Sequence, residues 1–194
     1  MSQVDSRENR ARLRELLQKH SLMFGDFTLV SGKKSRYYFD SKKTTLRAEG
    51  AFRVARAILD RMTEEGIEAD AIGGMTLGAD PIVCPIAALS YEIGSPLPAF
   101  IVRKEAKGHG TSRQIEGDLE PGSSVVVVDD VVTTAGSTLR AIEAVESAGH
   151  RVAAVICLVD REEGGTEALS AYPFYPLFRR SEIFVEPEAI EKGT

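Results

Sequence analysis

The sequence predicts an α/β fold, with a mainly parallel central sheet flanked by helices on both faces. Two observations predict it. Val125–Val128 and Val152–Val159 are apolar, β-branched runs without polar alternation, the pattern of strands buried on both sides. Segments of helical spacing alternate with such runs, as in a sheet built from strand–helix–strand units. Ligands of such sheets bind outside the carboxyl ends of the strands.

Taken in order, residues 6–19 read as a helix with Leu13, Leu16 and Leu17 on its apolar side. Asp5 followed by Glu8 resembles a capping box. Phe27–Val30 and Arg36–Phe39 read as two short strands around a hairpin loop, Ser31–Ser35. Strand side chains alternate, so Tyr37, Tyr38 and Phe39 cannot all face one core. At least one ring is left to face a cavity or a partner.

Residues 48–65 form the next helix, with Ala51, Phe52, Ala55, Ile58, Leu59 and Met62 recurring and Gly66 ending it. Ala71–Gly74 is a short buried strand. It runs into Met75–Asp80, and Pro81 suits the first turn of the helix that follows. Gly73, Gly74 and Gly78 allow close approach of backbone to a ligand. Pro98–Val102 is another strand. Residues 103–117 contain almost no apolar side chain and read as a mobile loop with a basic face of Arg103, Lys104, Lys107, His109 and Arg113. Pro121-Gly122 turns into the strand Val125–Val128. Beyond Val159 stand Asp160 and Arg161. The tail, 172–194, offers one more strand near Tyr175–Phe178 and otherwise little functional content.

The chain of 194 residues suits a single domain with a sizeable core. The net charge of −5 argues against a general nucleic-acid binder, so an anionic ligand needs a local basic cluster such as 103–113. Cys84 and Cys157 both lie in apolar runs and read as reduced core residues of a cytoplasmic protein. No apolar run reaches the length of a membrane span.

The chemistry centres on Val125 to Leu139. Asp129 and Asp130 end the valine strand, and a small, hydroxyl-rich loop from Thr133 to Thr138 leads into a helix marked by Leu139, Ile142 and Val145 and stopped at Gly149. Backbone N–H groups of that loop and of the helix start can close round a phosphate. The hydroxyls of Thr133, Thr134, Ser137 and Thr138 add donors. Hydrogen bonds to a charged group are worth roughly 1.5–3 kcal/mol each, so converging donors outweigh a helix dipole of at most ~2 kcal/mol. The two acids repel phosphate and need another partner, ribose hydroxyls or magnesium. Together these residues suggest a site for a phosphorylated sugar. The alternative, a plain βα turn with an acidic cap, does not account for the doubled acid followed by Thr-Thr-Ala-Gly-Ser-Thr. The segment is neither a P-loop nor a dinucleotide fingerprint.

Asp129-Asp-Val-Val-Thr-Thr-Ala-Gly-Ser-Thr138 resembles the phosphoribosyl diphosphate (PRPP) motif of type I phosphoribosyltransferases. Phe27–Asp40, Gly73–Pro81 and Arg103–Gly110, in the same order along the chain, narrow the resemblance to the orotate phosphoribosyltransferases. The resemblance implies the type I fold, with a small hood from the N-terminal hairpin (within 1–40) and the chain ends over the base. It implies PRPP contacts from Arg103, Lys104, Lys107 and His109, from Asp129, Asp130, Val131, Val132, Thr133, Thr134, Ala135, Gly136 and Ser137, and from the pyrophosphate loop Thr76, Leu77 and Gly78. Orotate falls to Thr133, Arg161, Tyr38 and Phe39, with a shift of one residue in the aromatic pair left open. The catalytic set is Lys107, His109, Asp129 and Asp130. Magnesium is expected mainly on PRPP, with Asp129 and Asp130 as candidate ligands. A homodimer is expected, with part of the basic loop donated across the interface. Arg161 also suits a carboxylate on chemical grounds, because guanidinium pairs with it through two parallel bonds.

The implied reaction joins orotate N1 to the anomeric carbon of PRPP and releases pyrophosphate. Two other functions compete: transfer to a purine base, which needs a different hood, and a non-catalytic PRPP sensor acting on nucleic acid, which needs a basic outer face and no basic loop. The Tyr37–Asp40 stretch and Arg161 favour an acidic pyrimidine, and the acidic chain with its basic loop disfavours the sensor.

Overall fold

The structure is a computed structural model that describes residues 5–28, 34–105 and 114–184. Its central element is a six-stranded sheet: β3 (Ala71–Met75), β4 (Ala99–Val102), β5 (Ile115–Glu116), β6 (Ser124–Val132), β7 (Arg151–Asp160) and β8 (Phe174–Arg179). The strands lie in the order β5-β4-β3-β6-β7-β8. All neighbours are parallel except β4 and β5. The expected mainly parallel sheet is therefore present, with a two-residue antiparallel edge strand that the polar sequence around Ile115 did not announce.

Side-chain alternation on β6 divides the core. Val126 and Val128 face a layer with Leu13, Val54, Ile58, Ile82 and Ile86. Val125 and Val127 face the opposite layer, with Ala141, Ile142, Val145 and Cys157. The same alternation sends the two acids to opposite faces of the sheet, Asp130 towards the first layer and Asp129 towards the second.

The first layer is built from α1 (Ser6–Leu16), α3 (Ala48–Glu64) and α4 (Asp80–Glu92). Asp5 caps α1 by accepting from the Arg7 amide, and a π-helical turn, Leu17–Ser21, continues it. On α3 the buried stripe is Gly50, Val54, Ala55, Ile58 and Met62, so Phe52, expected inside, is 37% exposed. Cys84, also expected in the core, sits on the exposed side of α4, whereas Cys157 is buried on β7. An apolar run on a helix covers all sides, so the run alone did not place Cys84.

The second layer is α5 (Gly136–Ser147). Gly149 ends it at φ 85°, with His150 N–H donating to Val145 O and Gly149 N–H to Glu146 O. This paired closure needs the left-handed conformation that glycine adopts without strain.

A separate two-stranded sheet, β1 (Leu22–Thr28) and β2 (Lys34–Phe39), forms the hairpin. The first strand begins five residues before the expected Phe27. Leu22 pairs with Phe39 and Phe24 with Tyr37. A short helix, α2 (Lys42–Thr45), follows. Two further turns of helix, α6 (Gly165–Ala168) and α7 (Arg180–Ile183), flank β8. No helix among the described residues is long and apolar enough to cross a membrane.

Candidate active site

The carboxyl ends of β3, β4, β6 and β7 lie along one edge of the parallel sheet, and Gly78, Arg103, Asp129, Asp130 and Arg161 sit at or just beyond those ends. β6 runs to Val132, so Val131 and Val132 are strand and the loop proper is Thr133–Ala135. Thr133 is half-buried and Thr134 exposed. Ala135 takes a left-handed conformation, φ 63°, which turns the chain into α5. The first-turn amides of α5, on Gly136, Ser137 and Thr138, have no acceptor within the helix, as at any helix start.

The two acids have different surroundings. Asp129 is 4% exposed. Its Oδ2 accepts from Ser137 Oγ at 2.8 Å and Thr138 Oγ1 at 2.7 Å, and its Oδ1 from the Asp130 amide at 3.0 Å. Burial pushes its pKa up to about 6, although the Thr138 and Ser137 hydroxyls pull the other way and the neighbouring Asp130 charge adds to the rise. Two of the four hydroxyls expected to serve the phosphate are thus engaged on Asp129. Asp130 is half-buried. Its Oδ1 accepts from the Val131 amide at 2.9 Å, and its Oδ2 from the hydroxyl of Ser41. Ser41 is 1% exposed, at the start of α2, and sequence reasoning missed it. Nothing local marks a serine 89 residues away as a partner of Asp130.

The glycine turn after β3 meets the acidic pair. A Cβ on Gly78 would lie 2.6 Å from Asp130 Oδ1 and 3.2 Å from Asp129 Oδ1. Thr76 donates from Oγ1 to Asp80 Oδ2 at 2.7 Å, and Leu77 is 69% exposed at the tip. The Thr76–Leu77 peptide is cis.

The basic loop leaves β4 and returns through β5, at the sheet edge rather than between two central strands. Its base is closed: the Arg103 amide donates to Gln114 O at 2.8 Å, and Gln114 Nε2 donates to Arg103 O at 3.0 Å. Arg103 also pairs with Glu116 at 3.2 Å, and Lys104 is exposed. Lys107, His109 and Arg113 lie outside the described residues.

Arg161 follows β7. Its amide donates to Val132 O at 2.8 Å, which fixes it beside the end of β6. Its side chain is only 13% exposed and reaches Glu163 Oε1 from Nη2 at 2.9 Å. Its Nε is buried and has no hydrogen-bond partner among the described residues. The rings beside this guanidinium are Phe184, at 5.2 Å, and Tyr37, at 5.3 Å. Neither Tyr38 nor Phe39, the expected pair, stands there. Pairing of Phe39 with Leu22 turns Phe39 into the core, 9% exposed, while Tyr38 points to the other face, 43% exposed, beside Phe27. The aromatic register at Arg161 is therefore displaced by one. Phe184 and Arg180 come from the tail, whose sequence gave no sign of them.

No group of three or more His, Cys, Asp or Glu side chains that could cage a metal ion occurs among the described residues. The oxygens of Asp129 and Asp130 already accept hydrogen bonds, yet carboxylates retain acceptor capacity for one or two contacts to a magnesium ion held mainly by phosphates and water.

Residues 47–188 match the phosphoribosyl transferase domain family. The orotate phosphoribosyltransferase of Aquifex aeolicus is 46% identical over 179 residues, covering 90% of this chain and 97% of that protein. The chain belongs to the orotate phosphoribosyltransferase family. The Rhodopirellula baltica orotate phosphoribosyltransferase is 43% identical over 88% of this chain and 90% of its own length. Among solved structures, Mycobacterium tuberculosis orotate phosphoribosyltransferase in complex with Fe(III) dicitrate superposes with a TM-score of 0.82 at 35% identity, covering 91% and 99% of the two chains. The same enzyme in complex with PRPP gives 0.77 at 31%, again over 91% and 99%. The expected type I phosphoribosyltransferase fold and orotate branch are thus borne out.

Proposed function

We propose that this chain transfers the ribose 5-phosphate group of PRPP to N1 of orotate, forming orotidine 5′-monophosphate and pyrophosphate, as its relatives' name describes. The observation that carries the proposal is the meeting of three features at one sheet edge: the Asp129–Asp130 pair at the end of β6, the Gly78 turn packed against it, and the half-buried Arg161. They match the three parts of the reacting pair: a phosphorylated ribose, a pyrophosphate and a base bearing a carboxylate.

The amides from Thr133 to Ser137 take the 5′-phosphate, with the Thr133 and Thr134 hydroxyls as added donors. Asp129, enclosed by Ser137, Thr138 and the Asp130 amide, holds that loop in shape. Asp130, held by Ser41, is the acid open to the ribose hydroxyls. Breaking the anomeric C–O bond builds positive charge on the ribose, which the acidic pair favours, and negative charge on the pyrophosphate. Thr76, Leu77 and Gly78 carry the pyrophosphate, and Arg103, Lys104, Lys107 and His109 stabilise its growing charge. Asp129 and Asp130 would hold a magnesium ion carried mainly on PRPP, which would supply further positive charge for the pyrophosphate oxygens. Arg161 takes the orotate carboxylate through Nε and Nη2, which requires Glu163 to yield. Thr133, in the loop after β6, is the further contact assigned to the base. Orotate enters as its N1 anion, so the reading assigns no general base.

The reading includes a cytoplasmic homodimer in which part of the basic loop serves the neighbouring subunit. A mixture of protein, PRPP, magnesium and orotate tests the function: orotate absorbance falls and pyrophosphate appears. Release with adenine or hypoxanthine but not with orotate would overturn it.

A further inference from the structure

Two arginines, not one, stand at the aromatic wall of the base site. Arg180, the first residue of α7, places its guanidinium carbon 5.4 Å from the Tyr37 ring centroid and 5.9 Å from that of Phe184. Arg161 lies at 5.3 and 5.2 Å from the same two rings. The rings meet edge to face, 4.8 Å apart and inclined at 72°. Arg180 Nε also donates to the Tyr37 hydroxyl at 3.0 Å, across 143 positions of sequence. Phe184 continues the wall onto Phe39, 5.3 Å away in the core.

The segment bearing Arg180 is itself anchored. The Arg179 amide donates to Glu182 Oε2 at 2.8 Å, and Glu182 pairs with Arg10 of α1 at 2.8 Å. The Ser181 amide donates to Glu162 Oε2 at 3.1 Å, next to Arg161 in sequence. Arg180 therefore reaches Tyr37 from a fixed base that also touches the turn carrying Arg161.

We infer that Arg180 is a positioning residue for the orotate subsite: by holding the Tyr37 hydroxyl it sets the aromatic wall that keeps Arg161 oriented, with its Nε free, for a carboxylate. The inference rests on the assignment of Arg161 to the orotate carboxylate. The physics is direct. A guanidinium over a ring gains from the ring's negative face only within about 6 Å of its centre. A rigid wall reduces the rotamer freedom that Arg161 must lose on binding. The second guanidinium adds positive potential where an anionic base is to be selected over a neutral one. Arg180 acts through Tyr37 and is not a catalytic residue.

Separate Michaelis constants for orotate and PRPP, measured on purified variants, test this. Arg180→Gln is expected to raise KM for orotate about fivefold to tenfold, part of the value of one hydrogen bond to a charged donor because Arg180 acts only through Tyr37, with KM for PRPP unchanged within about twofold. Tyr37→Phe, which keeps the ring and loses the acceptor, should raise it at least as much. The double variant should be no worse than Tyr37→Phe alone, because the Arg180 bond is already lost there. Arg180→Lys, which still donates to the phenol, should recover part of the loss. An unchanged KM for orotate in soluble, folded Arg180→Gln would overturn the inference. So would equal rises for both substrates, which mark a merely structural part, and so would additive single effects. Arg161→Gln separates the two levels of the argument. A normal orotate KM in that variant would overturn the subsite assignment itself, whereas a large rise there with no effect at Arg180 would remove only Arg180.

Discussion

Gly78 and Asp130 approach so closely that a single methyl on the glycine would stand 2.6 Å from the carboxylate Oδ1. They lie 52 positions apart, Gly78 on the turn that follows β3 and Asp130 in the last residues of β6. Their contact joins the pyrophosphate turn to the ribose acid, so the two halves of PRPP are read by one continuous surface.

Gly78→Ala should therefore damage PRPP use while leaving the fold in place. The added Cβ must push away a carboxylate that Ser41 and the Val131 amide already hold. We expect kcat/KM for PRPP to fall at least about tenfold, with a near-native circular dichroism spectrum and thermal midpoint. Normal PRPP kinetics would show that the contact can relax without consequence.

Ser41→Ala tests the other side of Asp130. Losing one charge-assisted hydrogen bond leaves the carboxylate free to swing, and turnover should drop by about tenfold with soluble protein retained. Ser41→Thr, which keeps a hydroxyl, should do better than Ser41→Ala. Equal activity in both would show that the hydroxyl is irrelevant.

Asp129 gives a pH signature. Its folded pKa of about 6 lies above the ordinary aspartate value of 3.8, so between these pH values the folded state binds more protons than the unfolded state. Stability from this group thus increases as pH falls from about 6 to about 4 and is lost as pH rises through 6. Asp129→Asn should lack that component. Thermal midpoints of the two proteins measured from pH 4 to 7 should diverge in slope, the wild type losing more on the way up. Parallel curves would contradict the burial argument.

The proposed sharing of the basic loop between subunits can be tested by mixing. Lys107→Ala should lower turnover far more than PRPP binding, because its charge matters most as pyrophosphate departs. Asp130→Asn should impair PRPP use in its own subunit. If Lys107 serves the neighbouring site, dissociated and remixed variants regain activity that neither has alone. No recovery in mixed dimers would place Lys107 in its own subunit's site.

The buried half of this molecule was legible in the sequence because its signals are local. Four valines, two acids and a hydroxylated turn announce β6 and its loop, and glycines at 66, 78 and 149 mark turns by their backbone needs. The errors arose where tertiary packing decides. Phe52 read as core from helical spacing and Cys84 from its apolar run, but each sits on an outward helical face. The register of Tyr37, Tyr38 and Phe39 depended on the pairing of Phe39 with Leu22, in a strand whose start the sequence did not reveal. Ser41, Arg180 and Phe184 acquire meaning only from distant partners, so no spacing rule could have found them.

The central claim is that one edge of the sheet holds PRPP between the Asp129–Ser137 turn and the Thr76–Gly78 turn. A crystal structure of this protein with PRPP and magnesium tests it most directly. The account predicts the 5′-phosphate on the amides of Thr133–Ser137, the ribose hydroxyls at Asp130, and pyrophosphate at Gly78. Electron density for PRPP elsewhere, or an empty turn at saturating PRPP, would contradict it.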